Sequence, residues 1–354
     1  MNWLKKILDR IFIEGLSGMA YGLFATLIVG TIIQQIGTLV GGQTGNLLYA
    51  IGKVAAALTS AGIGVGVAYR FKASSLVVLS AATAGMVGGF ASKLLAGTVL
   101  NEGAMVFAGP GEPLGAFLAA YIGIEVGQLL AGKTKIDILL TPIVTVGAGS
   151  VAGLLAGPPI SRFMTKIGEM INWGTEQQPL VMGIVVSVLM GMALTLPISS
   201  AALGVILNLN GLAAGAATIG CCCNMVGFAV ASFRENKIGG LLAQGIGTSM
   251  LQIPNIVRNP LIWLPAILSS AILGPIGTLV LKMTNNATGS GMGTAGLVGQ
   301  IMTWQTMTAA EPSTIVLIKI FVIQIILPAI VTAAIAEFMR RKKWIKQGDM
   351  KLEL

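Results

Sequence analysis

Histidine is absent from all 354 residues. That removes phosphohistidine chemistry, imidazole proton relays and His-ligated metals together. Charge is scarce as well: Asp, Glu, Lys and Arg make up 10% of the chain, where a soluble domain carries about 25%. A water-facing globular fold is thereby excluded. Cysteine is confined to one run, Cys221–Cys223, inside an apolar stretch. Neighbouring positions on a helix point in different directions, so the run cannot close a tetrahedral metal site. Small buried thiols are expected there, with no metal and no cofactor.

What the chain does contain is apolar: 55% of its residues, with 48 glycines. About 195 apolar residues, at roughly 20 per membrane helix, fill eight to ten spans. Little remains for a soluble catalytic or phosphocarrier domain, which needs about 100 residues. The expected fold is an all-α polytopic membrane protein of about ten transmembrane helices, with eight as the alternative. The net charge of +9 is not a nucleic-acid signal, because the bases gather at the ends. Lys5, Lys6 and Arg10 open the chain, and Arg340, Arg341, Lys342, Lys343 and Lys346 lie in the tail 339–354. Lys and Arg beside spans stay on the cytoplasmic side. Both termini are therefore expected in the cytoplasm, and the number of crossings to be even.

Residues 1–12 place Trp3, Leu4, Ile7, Leu8, Ile11 and Phe12 at helical spacing between charges, the pattern of an interfacial helix. Five spans are expected over 16–157, near 16–40, 47–69, 75–95, 114–131 and 138–155. The loop Gly41–Asn46 has no base, Arg70 and Lys72 follow the second span, Asn101–Pro113 has only acids, and Lys133 and Lys135 follow the fourth. Positive charge thus alternates as the orientation rule demands, with Lys93 the one dissenter. A fifth span is expected to stop at Pro158–Pro159. Residues 160–173, with Ile160, Phe163, Met164, Ile167, Met170 and Ile171 in register, read as a second interfacial helix. The half from 180 to 338 is less regular. Leu180–Leu209 is broken at Pro197, Gly211–Ala231 ends at Arg234 and Lys237, and the clear spans are Leu261–Leu281 and Thr314–Phe338. Segments near 239–258 and 289–304 are rich in Gly, Ser, Thr and Gln, too polar to face lipid. Such backbone sits at membrane depth only under cover of protein or beside a water-filled cavity, and paired interrupted segments point to a transporter's binding site.

The order of motifs carries a resemblance. Ile63–Gly89 (IGVGVAYRFKASSLVVLSAATAGMVGG), Gly115–Gly127, Ile138–Ile160 closing in Gly157–Pro158–Pro159, and Gly245–Pro265 (GIGTSMLQIPNIVRNPLIWLP) follow one another. They resemble, in the same order, the conserved stretches of fructose-type enzyme IIC proteins of the bacterial phosphotransferase system. The resemblance runs over most of the chain from about residue 60 onward. It implies a homodimer in the bacterial cell membrane and a scaffold that supports a mobile substrate domain. It further implies two re-entrant hairpins around a sugar and movement of elevator type.

The departures are specific. Met250 and Leu251 stand where that family has a sugar-binding acid. Gly289–Gly293 lacks the family's histidine, and Leu194–Ala202 lacks its Asp, Asn and Lys. The chain is more similar to the enzyme IIC-like offshoot that includes perfringolysin-regulator-like membrane proteins, in which the fold persists without phosphotransfer.

Candidate binding residues fall into three groups. Thr248, Ser249, Gln252, Asn255 and Arg258 surround Pro254, where a broken helix frees backbone groups beside hydroxyls and amides. Mutual satisfaction inside a turn is the competing role. Thr195, Ser199 and Ser200 flank Pro197, where hydroxyls also re-satisfy carbonyls freed by proline. Ser290, Thr294 and Gln300 lie in the glycine-rich segment, for which a plain hinge is the alternative. Two carboxylates add coupling candidates. Glu125 sits midway along span four, where an acid is costly and by default functional, a structural bond or dimer contact being the other account. Glu311 precedes Pro312 at an expected helix start, where the dipole would hold it, with Lys319 placed to pair or snorkel. The runs Gly62, Gly64, Gly66 and Gly289, Gly291, Gly293 are not nucleotide loops, since no strand precedes either.

The expected function is transport of a small polar organic solute, sugar-like or other, without phosphorylation and without catalytic residues. Two alternatives stand beside it: a membrane-embedded ligand sensor of the same fold, and a IIC permease subunit served by separate phosphodonor proteins. Expected partners are the solute, membrane lipid and a second copy of the chain, with no nucleic acid.

Overall fold

Glycine spacing decides how the first helices pack. The computed structural model describes residues 9–101, 104–107 and 109–352, so most of the expected interfacial helix 1–12 lies outside the described residues. Arg10–Phe12 already belong to the first long helix, α1 (Arg10–Val40). The chain divides into two compact units, Met1–Phe163 and Met164–Leu354.

In the first unit α1 turns back at Gly41, whose φ of +65° favours glycine, directly into α2 (Gly42–Ala57). The expected loop Gly41–Asn46 is thus one residue long. α2 and α3 (Thr59–Arg70) form one broken element bent by 52°. A methyl group on Gly22 of α1 would collide with the Gly62 backbone of α3. Small residues let these backbones touch, which is how helices associate where lipid removes the hydrophobic drive. α4 (Ser75–Gly89) follows. A two-residue antiparallel ladder then pairs Leu100–Asn101 with Ala104–Met105. α5 (Pro113–Leu130) and α6 (Asp137–Thr175) complete the order. α6 runs on through Pro158–Pro159, where a span was expected to end. A proline removes one N–H and crowds the preceding turn, but membrane helices tolerate it where neighbouring groups re-satisfy the backbone.

The second unit is built round α9 (Gly211–Ala231). Its helices are α7 (Pro179–Thr195), α8 (Ser200–Ile206), α9, α10 (Phe233–Leu242), α11 (Ile253–Arg258), α12 (Pro260–Val280), α13 (Ala287–Ser290), α14 (Val298–Met307) and α15 (Ser313–Arg341). α9 is buried almost throughout. Against it pack Val186, Met190 and Leu194 of α7 on one side and Leu273, Ile320 and Ile323 on another. Ile171, from the stretch expected to lie flat at the interface, is fully buried in that core beside Met164 and Ile167. α15 instead exposes most of its length, and Ile318, Phe321 and Ile330 point outward. An outward apolar face of this kind is a lipid face.

Among the described residues, six helices are long and apolar enough to cross a membrane, or seven if the bent pair counts as one span. This is a multi-pass membrane protein. α4 and α7, of 15 and 17 residues, and α8, of seven, are shorter than the roughly 20 residues a crossing uses.

Candidate functional site

Pro197 ends α7, and its last residue, Thr195, reaches the middle of the second unit. There the Thr195 hydroxyl lies 3.0 Å from Asn224 Oδ1 and 2.8 Å from Ser249 Oγ. The indole N–H of Trp263, at the start of α12, donates to the same Asn224 oxygen at 2.9 Å. Asn224 Nδ2 donates to the Gly220 carbonyl at 3.1 Å, and Ser270 Oγ lies 3.5 Å away. Oxygen Oδ1 carries no hydrogen, so Thr195 and Trp263 both donate to it. The Thr195 hydroxyl also lies 3.2 Å from the Gly191 carbonyl, and either oxygen of its contact with Ser249 can donate. The relay carries no formal charge. Thr195, Asn224, Ser249 and Ser270 are all buried, and Trp263 is half-buried.

Ser249 arrives on the first irregular segment. A widened turn, Ala243–Gly247, gives way to extended Thr248, whose hydroxyl accepts from Met250 N and so caps the short turn Ser249–Gln252. Thr248, Ser249, Gln252 and Asn255 are buried, although none lies in a regular apolar helix face. Their amides form a chain of their own. Gln252 Nε2 donates to Gln244 Oε1 at 2.8 Å, and Asn255 Nδ2 to Gln252 Oε1 at 2.9 Å. The remaining N–H bonds of these two amides go to the tail: Gln252 to the Met350 carbonyl at 3.0 Å and Asn255 to that of Lys351 at 2.9 Å. Arg258, expected in this group, is exposed at the end of α11.

The second irregular segment, 282–297, packs on the other side of α9. Ser200 donates to the Gly291 carbonyl at 2.7 Å and Ser290 to that of Ala287 at 2.8 Å. Gly293, with φ +52°, lies against the Cys221 backbone, where any side chain would collide. The Thr294 hydroxyl donates to the sulfur of Met225, at 3.5 Å. Asn285 joins the segment to α9 through Thr218 Oγ1 at 2.7 Å. Gln300 donates to Gln324 Oε1 at 3.0 Å, while its own Oε1 is buried with no partner among the described residues. Ser199 takes a different part: it caps α8 by accepting from Ala202 N.

The two candidate coupling carboxylates are both ion-paired. Glu125 Oε1 accepts from Arg10 Nε at 2.5 Å, and Arg10 also reaches Gln128 and lies over the Phe71 ring. Glu311 is gripped by Lys319 at 2.7 and 2.8 Å, and that ammonium also donates to the Leu281 carbonyl. The structure thus gathers Thr195, Ser249, Gln252 and Asn255 near α9. It places Glu125 in the first unit and Glu311 beside the start of α15. Asn224, Trp263, Gln244 and Asn285 are site residues that the sequence reading passes over. The signal for Asn224 was available, since it is the one amide inside the apolar stretch Gly211–Ala231 and intramembrane polar groups are expensive.

The family model described as "Phosphotransferase system, EIIC" matches residues 13–352. No curated protein matches the chain.

Proposed function

This chain belongs to the phosphotransferase-system EIIC family, and from that membership we propose that it carries a small, uncharged, polar organic solute across a membrane without phosphorylating it. The observation that supports this reading most is the buried relay Ser249–Thr195–Asn224–Trp263, whose members are all uncharged. Hydroxyls, an amide and the flank of an indole are the donor set suited to a neutral sugar-like or polyol-like molecule. Both irregular segments converge on α9, as the discontinuous elements of transporters converge on a solute. We read them as re-entrant hairpins. The division into two compact units at Phe163–Met164 fits a scaffold and a moving part, and the basic ends favour cytoplasmic termini in a bacterial membrane. A homodimer completes the proposal.

Tracer flux into liposomes tests it, using neutral sugars and polyols with and without phosphoenolpyruvate and phosphocarrier proteins. Uptake of unmodified solute that is lost in Ser249→Ala and Gln252→Ala, with the fold intact, supports the reading. Product phosphorylated at phosphoenolpyruvate's expense would make the chain a true permease subunit instead. A sensor is the second reading, favoured by one observation: the amides of Gln252 and Asn255 are already engaged by the chain's own tail. Thermal stabilisation by a solute that shows no flux would establish it.

A further inference from the structure

After α15 the chain does not run off into solvent. It folds back along the second unit, with Ile345, Met350 and Leu352 buried and Lys342, Lys343, Lys346 and Lys351 exposed. An ion pair sets the return, Arg340 to Glu235 at 3.0 Å, and the Gly348 N–H donates to the same carboxylate. Asn259 donates to Asp349 at 2.8 Å. Asn236 holds the last turn from both sides, donating to the Met350 carbonyl and accepting from Leu352 N, each at 2.8 Å. The tail's peptide oxygens then end on Gln252 and Asn255, two of the donors that surround the relay.

We propose that residues 344–352 form a releasable strap that locks the irregular segment 243–259 by occupying the amide donors of Gln252 and Asn255 with peptide carbonyls. Two physical features separate a strap from ordinary core. Its apolar anchorage is three side chains interleaved with solvated lysines, so its local opening costs far less than global unfolding. Its contacts on those two amides are also of the kind a hydroxylated solute or water makes. A buried amide hydrogen left without an acceptor is costly, so release of the strap requires another acceptor in its place. Strap and solute therefore compete for the same hydrogens, and either one weakens the other's hold by the same factor. The consequence for transport rests on the reading given above; the docking itself does not.

The test measures access rather than flux, in the full-length protein. Asn255→Cys serves as reporter in every sample, with the Gln252 amide and both Asn236 bonds still holding the strap; it reacts with a charged maleimide, followed peptide by peptide by mass spectrometry. Cys221–Cys223, fully buried, are the internal control. Met350→Asp, which puts a charge into the strap's buried anchor, is expected to accelerate labelling at 255 by about tenfold or more. The native cysteines stay unreactive. An unchanged rate overturns the proposal, as does acceleration accompanied by labelling of Cys221–Cys223, which would make the tail an integral part of the core. Where Met350→Asp does not yield folded protein, Asn236→Ala decides. It removes two hydrogen bonds and no apolar packing, so an increase of about threefold supports the strap and no change overturns it. Flux failure for every solute with accelerated labelling leaves the strap standing and removes the transporter reading; the reverse result does the opposite.

Discussion

At the scale of single residues, Asn224 carries the most consequence. An amide in the middle of a buried apolar helix costs several kcal/mol unless its hydrogen bonds are made, and here each end of it is occupied. Asn224→Ala leaves the Trp263 indole without its acceptor and the Thr195 hydroxyl to the Gly191 carbonyl at 3.2 Å. The expected loss is about 1–3 kcal/mol of stability, read as a lower unfolding midpoint. Thr195→Val alone should cost less, and the double variant less than the sum, since the two side chains share one bond. Additive losses would place the two residues in separate environments. Glu112 gives a second prediction, in the loop before α5. Its Oε1 is buried with no partner among the described residues. Burial pushes its carboxyl from 4.5 up to about 7, against a weaker opposing pull from the Leu114 backbone. A raised carboxyl favours the protonated folded state. Its contribution is complete below pH 4.5 and is lost as the pH climbs through about 7. The change amounts to about 3 kcal/mol. Glu112→Gln should flatten that part of the stability profile, and an identical slope in both proteins would refute the assignment. Residue types in the irregular segments, such as Ser249, were legible in the sequence because glycine and hydroxyls stood out from the apolar background. Asn224 was harder to see, because one amide hardly changes the hydropathy of the stretch around it.

At the scale of elements, close backbone contact explains both what was legible and what was not. Helix ends set by glycine or proline agree with the sequence: α9 has the bounds expected of it, and α7 ends just before Pro197. The end expected at Pro158–Pro159 does not occur. A proline pair reads locally as a stop, whereas the helix that carries it is held by packing further along, at Ile171. The crossing of α7 and α9 depends on a contact that no periodicity displays. A Cβ on Gly220 would drive into the Ser187 carbonyl, and one on Gly191 into Asn224 and the Gly220 carbonyl. Gly220→Ala should therefore cost about 1–3 kcal/mol or more through overpacking, and it should displace the relay as well as destabilise it. Gly147, in α6, has nothing within 4 Å of its missing Cβ. Gly147→Ala is the matched control, expected to leave the midpoint unchanged or slightly raised. Equal effects at the two positions would remove the close-packing account.

At the scale of the whole molecule, hydrogen bonds within the second unit fix which helix ends share a side. The end of α9 meets the end of α15 where Arg340 donates to the Ala231 carbonyl, and Asn259, at the start of α12, meets Asp349. At the other side, Gly211 bridges Asn285, Lys319 reaches Leu281, and Thr278 donates to the carbonyl of Pro179. α7 therefore enters from the side where α9 begins. It ends at Thr195, level with Asn224 inside the unit, and α8 packs back on Ser290. A helix of seven residues rises about 10 Å, a third of the roughly 30 Å hydrocarbon core. α8 is too short to cross by itself. α1, the bent pair α2–α3, α5, α6, α9, α12 and α15 make up to seven candidate crossings, and counting the shorter α4, of 15 residues, as well would make eight. An even count of eight is the number that the positive-inside rule would ask for, given the basic residues at Arg70, Lys133, Arg234 and Arg341. Impermeant labelling of single cysteines decides between eight and ten. Thr134→Cys and Lys346→Cys should react from the cytoplasmic face, Glu176→Cys and Asn208→Cys from the opposite face, and Ile198→Cys from neither, because that side chain is packed in the core. Ten crossings would bring residue 198 out into cytoplasmic water, so rapid labelling of Ile198→Cys from that face would restore the larger number and leave α8 in need of another description.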